Sequence, residues 1–276
     1  MEPFVMQEKG LMLRLTGWES KWPQLVAGFS TRNGGVSRRE YESLNCGLHV
    51  GDTVEHVIQN RRKLVEANGF SFASWTCAEQ VHGSNIRVIT DDDVGAGRMA
   101  HSDAIAETDG LLTDKRNVFL ASFYADCVPL FFYASKAKAQ VIGVAHAGWR
   151  GTVARIGPKM VETMRKIWAI GPENIYAAIG PSIGACCYEV NDIVADEIKN
   201  VLGAKAFRVL TETREGKYML NLQETNRILL ERAGILPSHI EVSHLCTSCR
   251  SDVFYSYRKE KGKTGRMTAF IALKEG

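Results

Sequence analysis

The chain has 276 residues, 45% hydrophobic and 24% charged, which fits a soluble globular protein with a sizeable core and excludes a disordered chain or a coiled coil. Its 34 Lys and Arg against 31 Asp and Glu leave a net charge of +3, too small an excess to imply nucleic acid as a partner. The seven cysteines are an odd number, and the opening MEPFVMQEKG places acids where a secretory signal carries bases, so free thiols in a reducing, cytoplasmic setting are expected.

In chain order, LVAGFST (25–31) reads as a strand, followed by the turn NGG (33–35) and the segment SLNCGLHVGD (43–52). Apolar spacing through Val54, Val57, Ile58 and Val65, with Arg61 on the same face, predicts a helix over 53–68. Asp52 and Glu55 are its expected capping pair and Asn68–Gly69 its stop. Short strands are expected at 73–77, 85–90, 118–124, 128–134 and 140–145. The most apolar stretch, 118–134, contains Asp126 and Pro129 and falls short of the roughly 20 apolar residues of a membrane span. It reads as two buried strands around a turn. A helix covers much of 152–169, and Gly157–Pro158 must start, kink or interrupt it. NIYAAIG (174–180) is a strand, helices follow at 190–201 and 221–233, and HIEVSHL (239–245) and MTAFIAL (267–273) are late strands. Asn221-x-x-Glu224 opens the 221–233 helix and Gly234 closes it. Strands outnumber helices and several adjoin without room for a crossover helix. An α/β mixed-sheet sandwich is therefore expected.

Three polar clusters sit at predicted strand ends: EQVHGSN (79–85) with His82, YADCVPL (124–130) with Asp126 and Cys127, and VAHAGWRGT (144–152) with His146, Trp149 and Arg150. His82, Cys127 and His146 are soft-to-borderline ligands spaced too widely for a closed structural finger. Two imidazoles and a thiolate would leave one tetrahedral position open on zinc; a Cys–His nucleophile pair is the competing reading. HLCTSC adds His244, Cys246 and Cys249, whose C-x-x-C suits half a structural zinc site or a redox pair. Cys186–Cys187 would be the complement, although adjacent cysteines chelate one zinc poorly. The basic run YRKEKGKTGR (257–266) reads either as an exposed loop face or as an anion-binding loop. No Walker or Rossmann fingerprint is present.

With TDGLLT (108–113), GPSIGACCYEV (180–190) and YSYRKEKGKTGRM (255–267), these clusters resemble the YfiH-like family, long labelled a laccase-domain polyphenol oxidase. STRNGGVS (30–37) and NCGLHVGD (45–52) extend the resemblance over nearly the whole chain. It implies one domain over 1–276, similar to the cytotoxic-factor-like cysteine hydrolase fold. It also implies zinc on His82, Cys127 and His146, phosphorolysis of adenosine, inosine and methylthioadenosine, and adenosine deamination. On that basis Asp126 is the expected acid/base and Arg150 a catalytic phosphate contact. Arg266 would hold phosphate, Asn45 the ribose or base, and Trp149 the purine face. The partners would be nucleoside and phosphate, with no nucleic acid and no membrane, for a chain acting as a monomer. The rivals are a Cys–His hydrolase, a copper (Cu2+) phenol oxidase and a non-enzymatic binding protein. Histidines at 49, 56, 82, 101, 146, 239 and 244 include no His-x-His pair, so a full multicopper set is not expected.

Overall fold

The computed structural model describes residues 1–7, 10–136 and 139–275. The chain begins with β1 (Phe4–Met6), β2 (Met12–Leu15), α1 (Thr16–Lys21), β3 (Leu25–Ser30) and α2 (Val54–Ala67). Next come β4 (Trp75–Cys77), β5 (Ile86–Val88), β6 (Gly110–Thr113), β7 (Phe119–Tyr124), β8 (Val128–Lys136) and β9 (Ala139–Ala147). Then follow α3 (Trp149–Val153), α4 (Ile156–Trp168), β10 (Ile175–Ile179), β11 (Glu189–Asn191) and α5 (Asp192–Leu202). The chain ends with β12 (Leu210–Arg214), β13 (Lys217–Leu220), α6 (Leu222–Arg232), β14 (Ile240–Val242) and β15 (Met267–Leu273).

Two six-stranded mixed sheets form the centre, in the orders β1-β2-β3-β15-β7-β4 and β14-β10-β8-β9-β6-β5. A small third sheet, β11-β13-β12, stands apart. Because side chains alternate along a strand, β8 sends Phe131 and Tyr133 toward the first sheet, where they meet Leu120, Tyr124 and Ile271. Leu130 and Phe132 point the other way, into a core shared with Met160 and Met164 of α4 and Leu229 of α6. A third core joins the outer face of the first sheet, through Phe119 and Phe270, to Leu64 and Val65 of α2. Burial on both faces explains why these strands read as continuous apolar runs. The result is the expected single-domain α/β mixed-sheet sandwich.

The run 118–134 does form two buried strands, but they belong to different sheets. β7 pairs with β15 and β4, whereas β8 pairs with β9 and β10. The turn 125–127 therefore crosses the sandwich and carries Asp126 at φ +91°. Such a conformation costs about 1–3 kcal/mol. Each fully buried Leu or Phe on the flanking strands contributes about 1.5–3 kcal/mol, so the strands hold the turn in place.

Several helix boundaries differ from expectation. Thr53 occupies the N-cap position of α2 without a side-chain cap, and the Asp52–Glu55 pair does not form. Asp52 instead accepts from Ser37 Oγ (2.6 Å), Asn45 Nδ2 (3.0 Å) and the Thr53 amide (2.7 Å). The expected 152–169 helix is two helices broken at Arg155 (φ +62°), and Gly157–Pro158 starts the second of them. Pro158 falls in the first turn of α4, where its missing amide costs nothing. The expected 190–201 helix begins at Asp192, with the Asn191 side chain accepting from the Val194 amide. Asn221 caps α6 by accepting from the Glu224 amide, as its spacing implied. Among the described residues no helix is long and apolar enough to cross a membrane.

Candidate metal centre

The ligand atoms of His82, Cys127 and His146 all lie within 4.8 Å of one another. Each comes from a different chain crossing. His146 is the penultimate residue of the buried strand β9, Cys127 closes the inter-sheet turn, and His82 lies in the loop after β4 at φ +59°. One buried acid, Asp109, organises two of the three. Its carboxylate accepts from the amides of Val81, His82 and Gly83 at 3.2, 3.1 and 2.7 Å, which stabilises the left-handed turn that presents His82. The same carboxylate lies 2.8 Å from His146 Nδ1, and its backbone carbonyl accepts the His146 amide at 2.8 Å. With Nδ1 taken, Nε2 of His146 is the atom left for the centre. A Cβ on Gly148 would sit 3.0 Å from Cys127 Sγ and 3.1 Å from the His82 ring, so any larger residue would have to push one of them back by a few tenths of an ångström.

Charge is arranged along the same line. Burial would raise the Cys127 thiol, but His146 and His82 outweigh it and bring it down to about 6. Burial would lower His146, but Cys127 and Asp109 outweigh that and raise it to about 9. Asp109 is also lowered, since His146 and the loop amides overcome its burial. An imidazolium thus sits between two anions, in the place of a cation. Two nitrogens and a thiolate, with bonds of about 2.0–2.3 Å and a carboxylate orienting one imidazole, are a donor set suited to zinc with one position open.

The open side faces a cavity of about 520 Å3. Asp126, Trp149, Arg150 and Arg266 line it, as do His49, Tyr188, Tyr257 and Arg258. Three guanidiniums lie over aromatic rings: Arg150 over Trp149 at 4.8 Å, Arg258 over Tyr188 at 5.3 Å and Arg266 over Tyr257 at 5.8 Å. Burial first, then Arg266 and His101, pushes His49 down to about 3 and keeps it neutral. Of the basic run 257–266, Arg258 and Arg266 line the cavity, while Lys263 reaches Glu40 at 3.7 Å.

One expected contact lies elsewhere, and another is already engaged. Asn45 is fully buried and does not line the cavity; its Oδ1 accepts the Arg266 amide at 2.9 Å, so it positions Arg266 from behind. Asp126 is in the wall, 8% exposed, but both its oxygens are occupied, accepting from Thr247 Oγ1 at 2.6 Å and the Arg258 amide at 2.7 Å. His244 is exposed and stands outside the late cysteine group, its amide bonded to Glu2 at 2.8 Å. The site residues that the sequence does not single out lie within segments that it does: Asp109 in TDGLLT, His49 in NCGLHVGD, Tyr188 in CCYEV and Tyr257 in the basic run.

A family model described as "Multi-copper polyphenol oxidoreductase laccase" matches residues 26–274. The chain is 46% identical over 250 residues to the purine nucleoside phosphorylase YlmD of Geobacillus stearothermophilus, spanning 91% of this chain and 90% of that one. It is 43% identical over 252 residues to the protein of the same name from Bacillus subtilis, spanning 91% and 90%. The crystal structure of Bacillus licheniformis YfiH superposes with a TM-score of 0.94 at 43% identity, covering 99% of this chain and all of that one (100%). Fold and sequence agree over nearly the whole chain, and the chain belongs to the laccase-like YfiH family.

Proposed function

We propose that the chain is a zinc-dependent purine nucleoside phosphorylase acting on adenosine, inosine and methylthioadenosine in a reducing cytoplasm, with adenosine deamination as a second reaction of the same site. The observation that carries the proposal is the convergence of Arg150, Arg258 and Arg266 on the cavity into which His82, Cys127 and His146 open. Guanidiniums suit a phosphate nucleophile, and the aromatic faces of Trp149 and Tyr188 suit a purine. The names of the relatives point to the same chemistry.

When bound, zinc supplies a Lewis acid at the open position. Arg258 and Arg266 hold phosphate and aim one oxygen at the anomeric carbon of the ribose, while Arg150 screens its charge. A C1′–O bond forms as the C1′–N9 bond breaks, and the electron pair leaves with the base, which takes the proton of hydrogen phosphate. The products are free base and ribose 1-phosphate. Asp126 acts through Arg258: its grip on the 258 amide sets where that guanidinium begins, which makes it a positioning residue.

The Asp109–His146–Cys127 line also has the form of a nucleophilic triad, the observation behind a Cys–His hydrolase as the second reading. His82 favours the metal, because a second imidazole against the sulfur obstructs a nucleophile and completes a ligand set. A multicopper oxidase is disfavoured by ligand supply, since among the described residues a single metal-capable group contains histidine, and only two of them.

Product analysis with adenosine and inosine, with and without phosphate, on zinc-quantified protein tests the proposal. Phosphate-dependent release of adenine and hypoxanthine supports phosphorolysis, and inosine formed from adenosine without phosphate supports deamination. Absence of both, with phenol oxidation on adding copper, overturns the proposal.

A further inference from the structure

A second group of four thiols lies outside the cavity. Cys186, Cys187, Cys246 and Cys249 come from two turns, and their sulfurs all lie within 4.8 Å of one another. In the first turn the amides of Cys187 and Tyr188 both donate to the Gly184 carbonyl, at 3.0 and 3.1 Å. That tight turn brings two neighbouring side chains to one side, which an extended chain would send to opposite faces. It removes the objection that adjacent cysteines chelate one ion poorly. In the second turn Cys246 and Cys249 are the ends of a C-x-x-C closed by the Arg250 amide on the Cys246 carbonyl at 3.0 Å. The turns are joined by a parallel bridge between Ser182 and Cys246 and by the Thr247 amide donating to the Ser182 carbonyl at 3.0 Å.

The spacing discriminates among the uses of four thiols. Cys249 Sγ lies 3.5 Å from both Cys186 Sγ and Cys187 Sγ. A disulfide needs about 2.05 Å. Four sulfurs bound to one tetrahedral ion at about 2.3 Å stand about 3.8 Å apart. A cluster of several irons would hold them farther from one another. Backbone support is already in place, since the Gly184 amide donates to Cys246 Sγ at 3.2 Å.

We propose that Cys186, Cys187, Cys246 and Cys249 bind one zinc ion in a closed, tetrahedral, all-thiolate site separate from the His82–Cys127–His146 centre. Each thiol gives its proton to solvent as its S–Zn bond forms, and no position stays open for substrate, so the ion is structural. Four thiolates this close require a cation among them. The ion would fasten together the two turns that hold Asp126, whose backbone carbonyl accepts the Ile183 amide at 2.9 Å and whose carboxylate accepts Thr247. The inference stands whether or not the cavity turns over purines.

The test is zinc counted per chain by mass spectrometry on protein purified under reducing conditions, in wild type, Cys127→Ala and Cys249→Ser. Two zinc ions in wild type and one in each variant are expected. Cobalt loaded into Cys127→Ala should show the intense thiolate charge-transfer and visible bands of a tetrahedral all-sulfur site. If Cys249→Ser does not fold, zinc-edge X-ray absorption of Cys127→Ala decides alone, with four sulfurs at about 2.3 Å expected. One zinc in wild type that Cys127→Ala abolishes, iron in place of zinc, a disulfide among the four cysteines, or a nitrogen-rich shell in Cys127→Ala would overturn the proposal.

Discussion

Asp109 Oδ1 stands 2.8 Å from His146 Nδ1, and the same carboxylate gathers the amides of Val81, His82 and Gly83, so one acid positions two of the three proposed metal ligands. Asp109→Asn keeps the shape but sets an amide N–H2 against donors. Zinc affinity at the His82–Cys127–His146 centre is expected to fall roughly 10–100-fold, measured by chelator competition. Unchanged affinity would remove Asp109 from the account.

The depressed Cys127 thiol gives a pH test. Its folded value of about 6 lies below the ordinary 9.0, so in metal-free protein the thiolate persists as pH falls until about 6. Its contribution to folding is fully present above the ordinary value and is lost as pH drops through 6. His146, raised to about 9, contributes fully below its ordinary 6.5 and loses its share as pH rises through 9. The ion pair is therefore intact between these limits. Alkylation of Cys127, followed by peptide mapping, should be half-maximal near pH 6, with zinc protecting it throughout. Half-maximal labelling near pH 9 would contradict the geometry.

Gly148→Ala tests the close passage of the loop. Gly148 has φ −63°, so alanine brings no backbone strain, and only the contacts at 3.0 and 3.1 Å with Cys127 and His82 are in question. Bound zinc and activity are expected to drop together, by at least about tenfold for a penalty of about 1.4 kcal/mol, with the unfolding temperature nearly unmoved. Full zinc occupancy in this variant would show that the loop has room to spare.

Arg258→Ala and Arg266→Ala separate phosphate binding from nucleoside binding. A charge-assisted hydrogen bond is worth about 1.5–3 kcal/mol, so the KM for phosphate should rise roughly 10–100-fold while the KM for inosine stays within a few-fold. Equal effects on both substrates would place the phosphate elsewhere.

Local pattern was enough for β7, β8, β9, β10 and β15, because apolar runs bounded by turn residues need no long-range information. It was not enough to show that β7 and β8 lie in different sheets. That follows from pairing with β15 and β9, which no window around residue 126 contains. The exposed hairpin of β12 and β13 escaped because Glu212, Arg214 and Lys217 give it no apolar alternation. At the site, His82, Cys127 and His146 were legible as ligand types at predicted strand ends, although the fold places His82 within a loop, five residues past β4. Asp109 was not, since an acid before a strand looks like a turn until the fold brings His146 and the 81–83 amides around it. Asn45 failed as a ligand contact for the converse reason: its chemistry suited a ribose, but the fold spends it on the Arg266 amide.

Phosphorus NMR of zinc-quantified protein turning over inosine in phosphate buffer tests the central claim most directly. The account predicts a ribose 1-phosphate resonance growing in step with hypoxanthine, lost in Cys127→Ala. Hypoxanthine accompanied by free ribose and no new phosphate ester, or no release of base at all, would contradict it.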